Sequence, residues 1–174
     1  VYDMSVWRDD SPVTLPADCS RVLAEIGKIN KKNAKDGKPP VTLVVADSLQ
    51  ALLSQGYTID SRQGAVRTMV ALNLFARRAD VAFPVLHHLT KDGKVAGSPA
   101  VLNAVRLAFI VERSKDDDRI RTIVRHKSNI AASEPLCYVI TGHGPAVHAE
   151  FVSGEDARAQ RVSAATEQGA APDP

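Results

Sequence analysis

Two short apolar runs rich in β-branched residues, Val41 to Ala46 (VTLVVA) and Val81 to Leu86 (VAFPVL), flank one amphipathic stretch, Ser61 to Arg78, and that order restricts the fold more than anything else in the chain. Neither run alternates apolar with polar residues, as a strand with one wet face would, so each reads as a central parallel strand covered on both sides. Between them, Val66, Met69, Val70, Asn73 and Leu74 are expected along one side of a helix, leaving Arg62, Arg67, Arg77 and Arg78 for solvent. Strand, helix and strand with short links make a βαβ crossover and predict an α/β sheet in which the two strands are parallel neighbours or near neighbours. Pro84 is awkward there, because a proline donates no ladder hydrogen bond.

The flanking elements follow from the same periodicities. Val22, Ile26 and Ile29, widened by Leu23, predict a helix over Pro16 to Asn30, and the charged, Gly- and Pro-containing stretch Asn30 to Pro40 predicts a loop that ends it. Ser98 followed by Pro99 opens a further helix with a capping hydroxyl and a residue that needs no donor, and Arg106 falls near its end. Leu107 to Arg113 and Arg119 to Lys127 read as an antiparallel hairpin joined by Ser-Lys-Asp-Asp-Asp, and Leu136 to Thr141 with Ala146 to Val152 as a second pair.

The 174 residues suit one domain. Ser153 to Pro174 carries a single large aliphatic side chain, Val162, and is expected to be a disordered tail after a folded part spanning 1 to 152. Without it the chain holds 20 basic against 16 acidic residues, which excludes both an acidic disordered protein and a polycation. The longest apolar runs fall short of the roughly 18 residues of a membrane span, and the first residues lack the build of a signal peptide. Cys19 and Cys137 form no CxxC and read as reduced thiols, which points to the cytoplasm.

Three groups of residues could carry chemistry. LVVADS, residues 43 to 48, ends an apolar strand in an acid followed by a hydroxyl; ligands gather at such strand ends, and one carboxylate there can hold magnesium through its water shell. Asp47 reads equally well as a turn cap. LHHLTK, residues 86 to 91, ends the second run, and because neighbours on a strand face opposite ways, His87 and His88 are poor joint ligands for one metal. In RIRTIVRHKSN, residues 119 to 129, Arg119, Arg121, Arg125 and Lys127 share one parity and are expected to make a basic face, either solvated or turned to phosphate. Phosphate-loop, GxSxG, paired-cysteine and GxGxxG motifs are all absent from the sequence.

LVVADSLQALL (43–53), HHLTK (87–91), VAGSPAVLNAVR (95–106) and KSN (127–129) occur in the order found in RecA-like ATPases of the hexameric-helicase branch, the group of RepA-like plasmid helicases, phage primase-helicases and RadA-like ATPases. The chain resembles the C-terminal portion of such a domain, with the first piece similar to the Walker B strand. The resemblance implies a three-layer RecA-like sandwich with a mostly parallel sheet continuing into antiparallel strands, truncated upstream. It also implies an ATP- and magnesium-dependent motor working on DNA as a homo-oligomeric ring. Carried over, it makes Asp47 the magnesium-linked acid and His88 the phosphate sensor, with Ser48 and Lys91 beside the nucleotide and Lys127 and Arg106 offered to phosphate across a subunit interface. Residues 1 to 40 contain neither the phosphate loop nor the catalytic glutamate of that family, Ala96 stands where many relatives have Arg, and Asn129 follows Ser128 where a RadA-like KNR motif ends in Arg. A non-catalytic, ring-completing relative is the alternative.

Overall fold

The computed structural model describes residues 11–115, 117–129, 135–142 and 146–153, and the expected tail beyond Ser153 lies outside them. The chain divides into two compact units, Val1–Ala104 and Val105–Pro174.

In the first unit, α1 spans Cys19–Lys35 and buries Val22 and Ile26. It therefore runs five residues beyond the expected end at Asn30. The Lys and Ala residues of 31–35 are good helix formers, and the helix stops only where Gly37 takes φ +67 and the amide of Lys38 closes on the carbonyl of Asn33 at 2.8 Å. Asn30 and Asn33 then tie the helix to the segment leading into the first apolar run. Asn30 Oδ1 accepts from the Val41 amide at 2.8 Å, and the Asn33 amide group donates to the Pro39 carbonyl at 2.9 Å.

The two apolar runs do lie side by side and parallel. The carbonyl of Thr42 accepts from the Ala82 amide (2.8 Å) and the Val44 amide donates to the Ala82 carbonyl (3.0 Å); further along, Ala46 donates to Pro84 (3.1 Å) and accepts from Leu86 (2.8 Å). Between these rungs the nitrogen of Pro84 should meet the carbonyl of Val44 and has no proton to give. The pairing is thus split into two isolated parallel bridges, Leu43 with Ala82 and Ala46 with Val85. The expectation of two covered faces is corrected: Leu43 and Val45 are 56% and 53% exposed, while Ala46 is buried.

A four-residue helix, α2 (Leu49–Leu52), comes after the first run. Next is α3 (Arg62–Ala79), capped by Ser61, whose hydroxyl accepts from the Gly64 amide. The buried side of α3 is Ala65, Thr68, Met69, Leu72 and Phe75, with Phe75 edge-on to Phe83 at 5.1 Å. Of the expected stripe only Met69 is buried; Val66, Val70 and Leu74 are exposed. The buried side instead includes Ala65 and Thr68, and the Thr68 hydroxyl donates to the Thr58 carbonyl at 3.0 Å. The unit ends in α4 (Ala100–Ala104), with the Ser98 hydroxyl accepting from Ala100 as its sequence suggests.

The second unit is a four-stranded antiparallel sheet in the order β1 (Leu107–Arg113), β2 (Ile120–Ser128), β3 (Leu136–Thr141) and β4 (His148–Val152). Ile120 and Val139 pair directly and both are buried. A β-bulge opposite Ala108 and Phe109 corrects the expected basic face: Ala108 pairs with Lys127 but Phe109 with Arg125, leaving His126 as the extra residue. Directly paired residues share a face and successive residues alternate, so Lys127 and Arg125 lie on opposite faces. Arg119 belongs to the turn, ion-paired with Asp117 at 2.9 Å, and Arg113 pairs with Asp118, whose carboxyl it holds below the usual range by hydrogen bond and charge.

Two measurements check this packing. Gly97 has φ +76, and a Cβ there would stand 2.6 Å from the Ile59 carbonyl oxygen. Gly97→Ala is therefore expected to cost roughly 2–4 kcal/mol in urea unfolding, from left-handed strain plus a forced backbone shift. Gly93→Ala, at φ +74 with open space around it, should cost only about 1–2 kcal/mol. Second, burial and then the charge of Asp18 push the Cys19 thiol up to about 11. Thiolate is the reacting form, so iodoacetamide labelling of Cys19 should stay slow at neutral pH and rise toward pH 11; rapid labelling at pH 7 would contradict the placement.

Candidate functional site

Asp47 and His88 each follow the last paired residues of the two parallel segments. Ala46 bonds to the second run through both backbone groups, and one turn later the Leu49 amide donates to the Leu86 carbonyl at 2.8 Å. Residues 47 and 48 thus span the gap opposite Leu86, immediately before the histidine pair. Ala46 and Leu49 are buried and hold this turn from inside, whereas Asp47 is exposed and Ser48 half-buried. The Asp47 carboxylate and the His88 ring make no hydrogen bond or ion pair among the described residues, so both are available to a ligand.

After His88 the chain forms a tight hairpin that sequence reasoning did not anticipate. Leu89 pairs antiparallel with Val95, the Thr90 amide donates to the Lys94 carbonyl at 2.7 Å, and Gly93 returns to Thr90 at 2.9 Å. Lys91 and Lys94 are exposed on it. Its sequence signals are Thr90, Gly93 and the short Lys-Asp-Gly-Lys connection.

The other two candidates share one end of the β1–β2 pair in the second unit. Arg106, exposed, directly precedes β1, and its carbonyl accepts from Asn129 at 3.1 Å; Leu107 pairs with Ser128 and Ala108 with Lys127. The six sequence-selected residues therefore fall into two groups: Asp47, Ser48, His88 and Lys91 in the first unit, Arg106 and Lys127 in the second.

Among the described residues no group of three or more His, Cys, Asp or Glu side chains could hold a metal ion. One exposed carboxylate suits magnesium that keeps most of its water and is shared with substrate phosphates, rather than a protein cage. Asp47, a single exposed carboxylate, is compatible with that mode of binding.

No protein-family model matches the chain. The DNA repair protein RadA of Haemophilus influenzae is 29% identical over 128 residues, 72% of this chain and 28% of that protein. Its namesakes in Salmonella typhimurium and Escherichia coli are 31% and 30% identical over 98 residues, 54% of this chain and 21% of each. Among solved structures, the ATPase domain of G40P matches with a TM-score of 0.55 at 16% identity, covering 70% of this chain and 48% of that one. The chain is similar to RecA-like ATPases of the helicase branch. It has the fold of a RecA-like ATPase domain, and it spans between 21% and 28% of the length of the curated relatives it matches.

Proposed function

We propose that this chain is the C-terminal part of an ATP-hydrolysing, DNA-processing motor of the replicative-helicase or primase-helicase type. The domain would be a three-layer sandwich with a mostly parallel sheet, assembling as a cytoplasmic homo-oligomeric ring. The observation that carries the reading is the junction of Asp47 and the His87–His88 pair at the ends of two parallel segments bonded through Ala46. Ligands of doubly wound sheets collect at such ends, and phosphoryl transfer is catalysed mostly by positioned charge. Among the described residues no helix is long and apolar enough to cross a membrane.

In this reading Asp47 would hold a magnesium ion through its water shell, and His88 would donate to the nucleotide's terminal phosphate. Ser48 and Lys91 flank the phosphates. Magnesium supplies charge neutralisation on the phosphate oxygens when bound. The alternative reading is a non-catalytic, ring-completing relative.

The test is Asp47→Asn in the intact parent protein. ATP turnover should fall at least about a hundredfold while thermal unfolding is unchanged, because the Asp47 side chain is exposed and bonded to nothing described. Turnover at the parental rate would leave Asp47 as a turn residue, and a parent that never hydrolyses ATP would favour the non-catalytic reading.

Lys127 is proposed to act in trans, on the nucleotide of a neighbouring subunit. Lys127→Ala subunits should assemble yet hydrolyse roughly a thousandfold more slowly. Mixing them with Asp47→Asn subunits should restore part of the activity, since interfaces pairing an intact Asp47 with an intact Lys127 then reappear. No recovery at any ratio, with mixed rings confirmed, would remove the trans role.

A further inference from the structure

His88 carries the proposed contact to phosphate, yet its own ring bonds to nothing described. Its backbone, however, is bonded to Ala96. The Ala96 amide donates to the His88 carbonyl at 3.3 Å, and the Ala96 carbonyl accepts from Nε2 of the His87 ring at 2.7 Å. Both backbone groups of one residue are thus committed to the histidine pair. A carbonyl only accepts, so His87 Nε2 carries a proton, while Nδ1 is buried without a partner among the described residues.

The same two bonds close the base of the 89–95 hairpin. Beyond them the chain is anchored again, because the Ser98 amide donates to the Ile59 carbonyl at 2.6 Å and Gly97 lies too close to Ile59 for any side chain. Without the His87 bond the returning arm of the hairpin would be held to the histidine pair, among the described residues, by the Ala96 amide at 3.3 Å, beyond the usual N–H···O range.

We propose that His87 is a positioning residue: its Nε2–H bond to Ala96 clamps the hairpin to the end of the second parallel segment and thereby sets the direction of His88. The proposal rests on the motor reading for the role of His88, but the clamp itself does not. A buried ring nitrogen left without a partner is a cost that the fold tolerates, and the bond made by the opposite nitrogen is what the ring supplies in return.

The test uses His87→Phe and His87→Gln in the intact parent protein. Phenylalanine keeps a planar ring, removes the unpartnered ring nitrogen and cannot donate, whereas glutamine places an amide N–H at comparable reach. With His87→Phe, hydrogen exchange in peptides covering 88–98 should quicken roughly five- to tenfold, the loss of one hydrogen bond. The kcat for ATP should fall by a similar factor with KM held, and His87→Gln should restore both. Parental exchange in the phenylalanine variant would overturn the clamp. Faster exchange with an unchanged kcat would overturn the positioning role. A parent without ATPase activity would sink the motor reading and the positioning role with it, while the exchange data would still decide the clamp.

Discussion

The backbone of Ala46 is the contact on which the candidate site depends. Its amide and carbonyl bond to Pro84 and Leu86 of the second parallel segment, its methyl group is buried, and the next residue is Asp47. Because side chains in a strand alternate, a slip of one residue would turn the Ala46 side outward and carry Asp47 away from the histidines. Pro84 removes one rung just before this point, worth about 1 kcal/mol, so the register is held by the Ala82 rungs on one side and the Ala46 rungs on the other. The slip is resisted most by what Ala46 and Leu49 bury.

The parts of the fold legible in the sequence are those set by one residue type acting locally. Ser98 serves α4 as its hydroxyl suggests, α3 begins within one residue of the expected Ser61, and the strands of the second unit lie close to where β-branched runs and turn residues place them. The errors share a cause, which is that packing distinguishes patterns the letters do not. On α3, two stripes of helical spacing lie about one residue apart, Ala65, Thr68, Met69, Leu72 and Phe75 against Val66, Val70 and Leu74. Both carry large apolar residues, and the one buried is the one that brings Phe75 against Phe83 and Thr68 to the Thr58 carbonyl. On β2, residue parity puts Arg125 and Lys127 on one face until the bulge at His126 separates them.

The candidate site divides the same way. Asp47 and His88 are legible because a strand-ending acid and a strand-ending polar pair are visible in any apolar run. The His87 bond is not, since its acceptor is a main-chain carbonyl that any residue at position 96 would offer. In the sequence Ala96 reads only as the absence of an arginine, although its backbone organises the turn. Residue types advertise chemistry, and the geometry that aims it is written mainly in peptide groups.

The exposed apolar residues bear on the same point. Leu43 and Val45 are half-exposed on one side of the first segment, and Leu107, Phe109 and Val111 alternate outward along β1. Lone exposed aliphatic residues are ordinary, but consecutive same-face positions on a strand are where a sheet buries its partners. The unalternating run VTLVVA is the composition of a strand with both faces covered, and here one face is covered. In the proposed three-layer arrangement, a second layer would lie over Leu43 and Val45, and the absence of polar residues at those positions then has a physical reason that the described residues by themselves do not supply.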